Sequence, residues 1–310
     1  MNKSLAKSAG FMYLLLYTFL SSTVPIAGKI GLRQDVSPFE LVAVRMALAA
    51  VVLWVYFLSF RRDALKLDRA GLIGCMMAAT ANCFSTSSYF FGLSYIDASL
   101  AIVVFMTAFI PVVVLLLIIR GEYPSRLDLI RFVIALIGIY LFVGLTGNVS
   151  WTGLLFMIAT AFFYAIYMTV IQLRLGDYDS QTVTLYTMTF MAILLSIAYL
   201  AAGYRAPQFN APTWATVLWL AIIATALARL FLFAGIKVAG SRQAALLSPL
   251  ETLLSVLFAV WLLGESLTPP QWLGTFLVIA SVALGAKAKS DRARAKAAKT
   301  TDVEHEGARA

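Results

Sequence analysis

The strongest constraint in this sequence is the repetition of apolar runs about as long as a bilayer is thick. A membrane-spanning helix needs about 20 consecutive, mostly apolar residues. Such runs recur near 9–30, 40–60, 71–93, 98–119, 129–147, 152–173, 181–203, 214–237, 243–263 and 271–286, with short polar breaks between them. The pattern predicts an all-α membrane protein with ten transmembrane helices. Ten spans in 310 residues leave no room for a soluble domain, and only 13% of the residues are charged, about half the share usual in a soluble chain. A cleaved signal peptide is the competing reading of the first run. Its apolar stretch from Phe11 onward exceeds the roughly 7–15 residues of a signal core, and further spans follow it.

The net charge of +9 sorts by side of the membrane. With the N-terminus in the cytoplasm, nineteen Lys and Arg residues fall on the inner side, against only Lys29, Arg33 and Arg205 on the outer side. This is the asymmetry of the positive-inside rule, and it predicts an inner (plasma) membrane protein with both termini cytoplasmic. The tail 287–310 alternates Ala with Lys and Arg. It reads as a solvated end that fixes topology, with contact to anionic lipid headgroups as the alternative. No nucleic-acid partner is expected.

Sliding the sequence against itself by 143 residues aligns the first five spans with the last five without a gap. Phe90 and Gly92 fall on Phe233 and Gly235, Gly121-Glu122 on Gly264-Glu265, Leu141 on Leu284 and Ser37 on Ser180. Matched punctuation carries more weight here than identity, because helix ends and turns keep their spacing in both halves. An odd number of spans per copy forces the second copy to enter the membrane from the opposite side. The prediction is therefore two inverted five-helix repeats, 8–147 and 151–286. Inverted repeats are characteristic of secondary transporters, whose substrate site lies near the midplane between the halves.

Several stretches resemble the EamA-type members of the drug/metabolite transporter superfamily. They are the two five-helix halves, Ala244-Ala245-Leu246-Leu247-Ser248-Pro249-Leu250-Glu251, and Trp261-Leu262-Leu263-Gly264-Glu265 followed by a Pro-containing turn. Gly121-Glu122 echoes the last of these in the first half, and Arg45 stands where the family often has an arginine. The resemblance covers nearly all of residues 8–286. It implies a transporter, often an exporter, of cargo drawn from amino acids, sugars, nucleotide derivatives or drugs. The sequence departs from the family pattern where Glu251 is followed by Thr252 rather than Pro. The first span also offers Ser21, Ser22, Thr23 and Pro25 where the family often has Trp-Gly.

Charges inside spans cost about 2.5–3.5 kcal/mol each on insertion scales and are default functional candidates. Arg229 and Glu251 each lie eleven residues from Gly240, where the turn between the eighth and ninth spans is expected. At about 1.5 Å per residue both reach a depth of roughly 16 Å, near the bilayer middle. Their repeat partners are Thr86 and Ala108, so the pair belongs to the second half alone. One reading is a structural salt bridge. The other is cavity lining, with Arg229 holding a substrate carboxylate and Glu251 holding an amine or a coupling proton. Arg45 either snorkels to the outer headgroups or lines the same cavity. Asn82 and Tyr89 in the third span and Tyr164 in the sixth are uncharged candidates for contact with a polar cargo, with helix packing as the competing role. The candidate substrate-binding set is thus Arg229, Glu251, Arg45, Asn82, Tyr89 and Tyr164. Pro25, Pro111 and Pro249 are expected kinks. Glu122 and Glu265 sit at helix ends, in turn or helix N-terminal roles.

No cofactor, metal or catalytic residue is expected. The one histidine, His305, lies in the tail, and Cys75 and Cys83 share the third span without metal-ligand spacing. No Walker-type Gly-x-x-x-x-Gly-Lys-[Ser/Thr] loop occurs, so the chain brings no ATP engine of its own. The leading expectation is a secondary transporter, in the export direction, of a small polar metabolite that could be amino-acid-like. Proton coupling stays open. An integral-membrane enzyme and a channel are the alternatives from other classes.

Overall fold

The described residues are almost wholly helical. The computed structural model describes residues 3–119, 126–143, 149–205 and 207–284, all helices and short connections with no strand among them. The tail 287–310 with His305, the Gly121-Glu122 pair, Arg120 and the Pro111 side chain lie outside the described residues. In order the helices are α1 (Lys3–Ser21), α2 (Val24–Leu32), α3 (Pro38–Phe60), α4 (Arg69–Tyr95), α5 (Ala98–Ile119), α6 (Arg126–Val143), α7 (Trp151–Arg174) and α8 (Ser180–Ala201). Then follow α9 (Ala211–Leu218), a π-helical stretch Trp219–Leu227, α10 (Ala228–Ala239), α11 (Ser241–Leu246), α12 (Ser248–Leu263) and α13 (Pro269–Leu284).

Side-chain caps set many of these starts. Asp68 accepts from Gly71 N–H at 2.9 Å, Asp179 from Thr182 N–H at 3.0 Å and Asn210 from Thr213 N–H at 2.9 Å. Each satisfies a backbone donor that a helix start leaves free. Among the described residues five helical stretches are long and apolar enough to cross a membrane: Ala9–Leu32, Pro38–Phe60, Trp151–Arg174, Ser180–Ala201 and Ala211–Ala239. Shorter apolar helices occupy Ala98–Phe109, Leu129–Val143, Ser248–Leu263 and Pro269–Leu284. α4 is long as well, at 27 residues, but Asn82 and the run Ser85-Thr86-Ser87-Ser88 lower its hydropathy.

The outer surface is apolar. Val51, Val55, Phe60, Leu155, Ile197 and Leu200 are exposed, as suits a lipid-facing surface. Trp151 and Trp261 are 78% and 79% exposed at helix ends, where interfacial aromatic belts sit. Inside, Leu41, Leu53, Phe57, Leu185 and Met191 form one core between α3 and α8. Leu93, Phe142, Met157, Val256 and Val278 form another between α4, α6, α7, α12 and α13.

Helix contacts follow the 143-residue offset. α4 packs most closely on α7, and α1 on α10. Each crossing is built on glycines at equivalent positions. At the first, a Cβ on Gly92 would meet the Met157 side chain and one on Gly153 would meet Tyr95 and Ile96. At the second, a Cβ on Gly235 would meet Leu14, and one on Gly10 would meet Val238 and Ala239. Every one of these second-crossing residues lies 143 positions from its counterpart at the first. Small residues let backbones approach where lipid offers no hydrophobic drive to association.

Two predicted spans are not continuous. The first breaks at Ser22–Thr23 and the ninth at Leu247, each just ahead of a proline, Pro25 and Pro249, at the start of the following helix. Proline lacks an N–H and fits the first turn of a helix, so it ends one segment and opens the next. Hydroxyls and neighbours take up the freed carbonyls. Ser22 Oγ donates to Phe19 O at 2.8 Å and Thr23 Oγ1 to Leu20 O at 2.7 Å. Ser255 Oγ of α12 donates to Ser22 O at 3.2 Å, which joins the two breaks.

Candidate functional site

The two broken helices and the π-helical stretch meet around the charged side chains. Glu251 lies in the first turn of α12, at the amino end of a half-helix, where backbone N–H groups favour negative charge. Arg229 is the second residue of α10, directly after the π-helical stretch. A π turn holds more residues than an α turn and rotates everything after it, and such bulges recur at functional sites. The turn that carries the chain from α10 to α11 is at Gly240, with φ of +88°. Only glycine adopts that conformation without steric cost, so the hairpin pivots where its sequence position indicated.

Arg229 and Glu251 sense each other as charges, both half-buried, and the described residues form no contact ion pair between them. Tyr17 of α1 donates its hydroxyl to Glu251 Oε2 at 3.4 Å, and the Ser21 hydroxyl lies beside both groups. Tyr167, Tyr17 and Tyr164 lie within electrostatic reach of Arg229. Arg45 of α3 is buried, at 6% exposure, and lies in the field of Arg229 and Tyr89. Its guanidinium stacks on Phe90 at 4.9 Å from the ring centroid. Aromatic rings continue the wall: Tyr89 to Phe105 at 6.1 Å, Phe105 to Tyr164 at 5.5 Å and Tyr164 to Tyr167 at 5.6 Å.

The structure thus brings together five of the six sequence candidates: Arg45, Tyr89, Tyr164, Arg229 and Glu251. Asn82 points elsewhere, its Nδ2 3.2 Å from Met191 Sδ between α4 and α8. Tyr17 joins the cluster without having been singled out from the sequence. Its signal was present, one helical turn before the Ser21-Ser22-Thr23-Pro25 stretch. Arg45 is directed inward to Phe90 and Arg229 rather than outward to headgroups. Lys29 caps the end of α4, donating to Leu93 O at 2.9 Å and Ile96 O at 2.7 Å. Glu265 follows Gly264, which ends α12 with φ of +69°, and its carboxylate accepts from Ala98 N–H at 2.7 Å and Ser99 N–H at 3.0 Å. That contact ties the α12–α13 connection to the amino end of α5, beside a cavity of about 180 Å³ lined by Tyr95, Asp97, Ser150 and Gln271 among others. The cavity shares no residue with the charged cluster.

Comparison with known proteins agrees with this architecture. The EamA-like transporter family matches residues 8–144 and again 151–285. An uncharacterized inner membrane transporter of Salmonella typhimurium, YicL, is 30% identical over 181 residues, which cover 57% of this chain and 60% of that protein. An uncharacterized transporter of Clostridium kluyveri is 22% identical over 311 residues, covering 95% of this chain and 99% of that one. A solved crystal structure superposes with a TM-score of 0.60 at 19% identity, over 90% of this chain and 96% of the other, a likeness of fold alone. With two family matches that together take in almost the whole helical region, this chain belongs to the EamA-like transporter family.

Proposed function

We propose that this protein is a secondary carrier that exports a small polar metabolite across the inner membrane by alternating access. It uses ten spans in two inverted five-helix repeats, with both termini in the cytoplasm. The observation that carries the reading is the cluster of Arg45, Arg229 and Glu251 where two broken helices meet. Discontinuous helices whose half-helix ends point at the substrate are the usual construction of a secondary-transporter site. The glycine crossings related by 143 residues support the repeat, and the basic inner loops support the orientation. Arg229 and Glu251 read better as cavity groups than as a structural ion pair, because they approach without a direct contact. Arg229 and Arg45 bind the cargo. Glu251 is a candidate to exchange a proton with it, since a buried carboxyl group can move between neutral and charged states as a cation nearby changes partner.

The test begins with an untargeted metabolite comparison between overexpressing and deletion cells, which supplies the cargo. Counterflow in proteoliposomes then measures carriage. Saturable uptake accelerated by preloaded cargo is expected, and Glu251→Gln should abolish or strongly reduce it with membrane expression intact. Non-saturating flux without trans-stimulation would indicate a channel. Normal transport by the variant across the pH range would remove Glu251 from the mechanism.

A further inference from the structure

The charges of the central cluster do not balance. Arg45 and Arg229 supply two guanidiniums in each other's field, against the one carboxyl group of Glu251. With or without its proton, Glu251 leaves an excess of positive charge. The phenols of Tyr17, Tyr89, Tyr164 and Tyr167 add no charge at neutral pH. Lys29 belongs to a separate group, bonded to Leu93 O and Ile96 O and facing Asp97 and Glu265. Two like charges near each other repel, and Arg45, which is buried, also loses hydration; an anion between them relieves both effects.

Unused hydrogen-bonding capacity points the same way and is independent of the charge count. Arg45 Nε and Nη1 and the Tyr89 hydroxyl are buried without a hydrogen-bond partner. A guanidinium only donates. The group that satisfies these nitrogens must therefore be an acceptor, and a carboxylate is the acceptor that guanidinium matches best in both shape and charge. Beside them the wall of Tyr89, Phe105 and Tyr164 is aromatic, which favours a flat apolar body. A zwitterion would place its ammonium on Glu251 and leave the excess positive charge unrelieved. A cation would add to it.

We infer, on the basis of the carrier reading above, that the substrate is an organic monoanion whose carboxylate sits between Arg45 and Arg229 and whose planar apolar body lies against Tyr89, Phe105 and Tyr164.

The test uses one body with three charges: 3-phenylpropanoate, L-phenylalanine and 2-phenylethylamine, titrated calorimetrically into the full chain in nanodiscs at neutral pH. The anion is expected to bind at least about tenfold more tightly than the zwitterion, with the amine weakest. Arg45→Gln should weaken anion binding by about 10- to 100-fold, the loss of a charged hydrogen-bonded contact. Arg45→Lys keeps the charge, should retain part of the binding, and serves if the Gln variant does not fold. Absence of anion binding, equal or tighter binding of phenylalanine, or unchanged anion binding in folded Arg45→Gln would overturn the inference. Arginine-dependent anion binding without counterflow would support it and contradict only the carrier reading. Counterflow of phenylalanine in preference to the anion would contradict it and leave the carrier standing.

Discussion

At the scale of single residues, the same side-chain types serve opposite ends depending on what surrounds them. Glu265 has its carboxylate filled by two backbone N–H groups and is structural, whereas Glu251 meets only side-chain hydroxyls, Tyr17 at 3.4 Å and Ser21 beside it, and is left responsive. Lys29 is saturated by two carbonyls, whereas Arg45 keeps two nitrogens unused. Asp68 shows what a satisfied carboxylate at the membrane surface contributes. It caps α4 through Gly71 N–H and accepts from Tyr178 Oη at 2.8 Å, which ties the first half to the second. These two bonds hold its pKa below the ordinary carboxylate range, and the second raises that of Tyr178. A folded-state value below the unfolded one gives stability that is present above the unfolded value of about 3.9 and is lost as pH falls through the folded value. Asp68→Ala should therefore lower the thermal midpoint at neutral pH, with the gap to the parent protein narrowing as pH drops into the acid range. Melting curves of both proteins in detergent across pH measure this, and a gap independent of pH would contradict it.

At the scale of elements, close helix crossings explain where substitution is tolerated. A Cβ on Gly274 of α13 would come 2.5 Å from Gly138 O and 3.1 Å from Phe142 N, both backbone atoms of α6. Backbone cannot swing aside as a side chain can, so Gly274→Ala should cost about 1–3 kcal/mol, the range for overpacking. Gly203→Ala meets nothing within 4 Å and carries only the strain of its φ of +83°, about 1–2 kcal/mol. Chemical denaturation in mixed micelles measures both, and an unchanged stability of Gly274→Ala would contradict this account of the crossing. Much of this level was legible in the sequence. Pairing Gly92 with Gly235 at an offset of 143 marked equivalent positions, which the structure places at two helix crossings, and the symmetric spacing about Gly240 located the turn between the helices that carry Arg229 and Glu251. The breaks at Ser22–Thr23 and Leu247 and the π-helical stretch were not legible as such. Hydropathy reports how apolar a run is and is blind to which carbonyl each N–H bonds. Proline gave a partial signal, at Pro25 and Pro249. Nothing comparable marked Trp219–Leu227, whose residues are more apolar than those of the α-helices on either side of it. Tyr17 and Asn82 show the same limit for side chains. Spacing places a residue at a depth, but which neighbour it faces depends on helix rotation, which the packing of whole helices sets.

At the scale of the whole molecule, the two halves share a scaffold and divide its chemistry. The equivalent crossings α4–α7 and α1–α10 give the protein two matched helix pairs, while Arg229 and Glu251 have no charged counterparts at Thr86 and Ala108. Matched packing allows two arrangements of similar energy, and an unmatched site lets a ligand interact differently with each, as a population shift requires. Ties between the halves lie at both ends. Glu265 holds α5 on one side of the cluster, and the Asp68–Tyr178 bond holds the α7–α8 connection on the other. The central claim is that the cluster opens to each side in turn, and thiol accessibility tests it without knowledge of the cargo. In a Cys75→Ala, Cys83→Ala background, Ser21→Cys places one thiol beside Glu251 and Tyr17. A membrane-impermeant maleimide is applied to right-side-out and inside-out vesicles, with and without Glu265→Ala. The expected result is labelling from both faces, with Glu265→Ala raising the rate from outside and lowering it from inside. Labelling from neither face, or rates that rise together, would contradict alternating access.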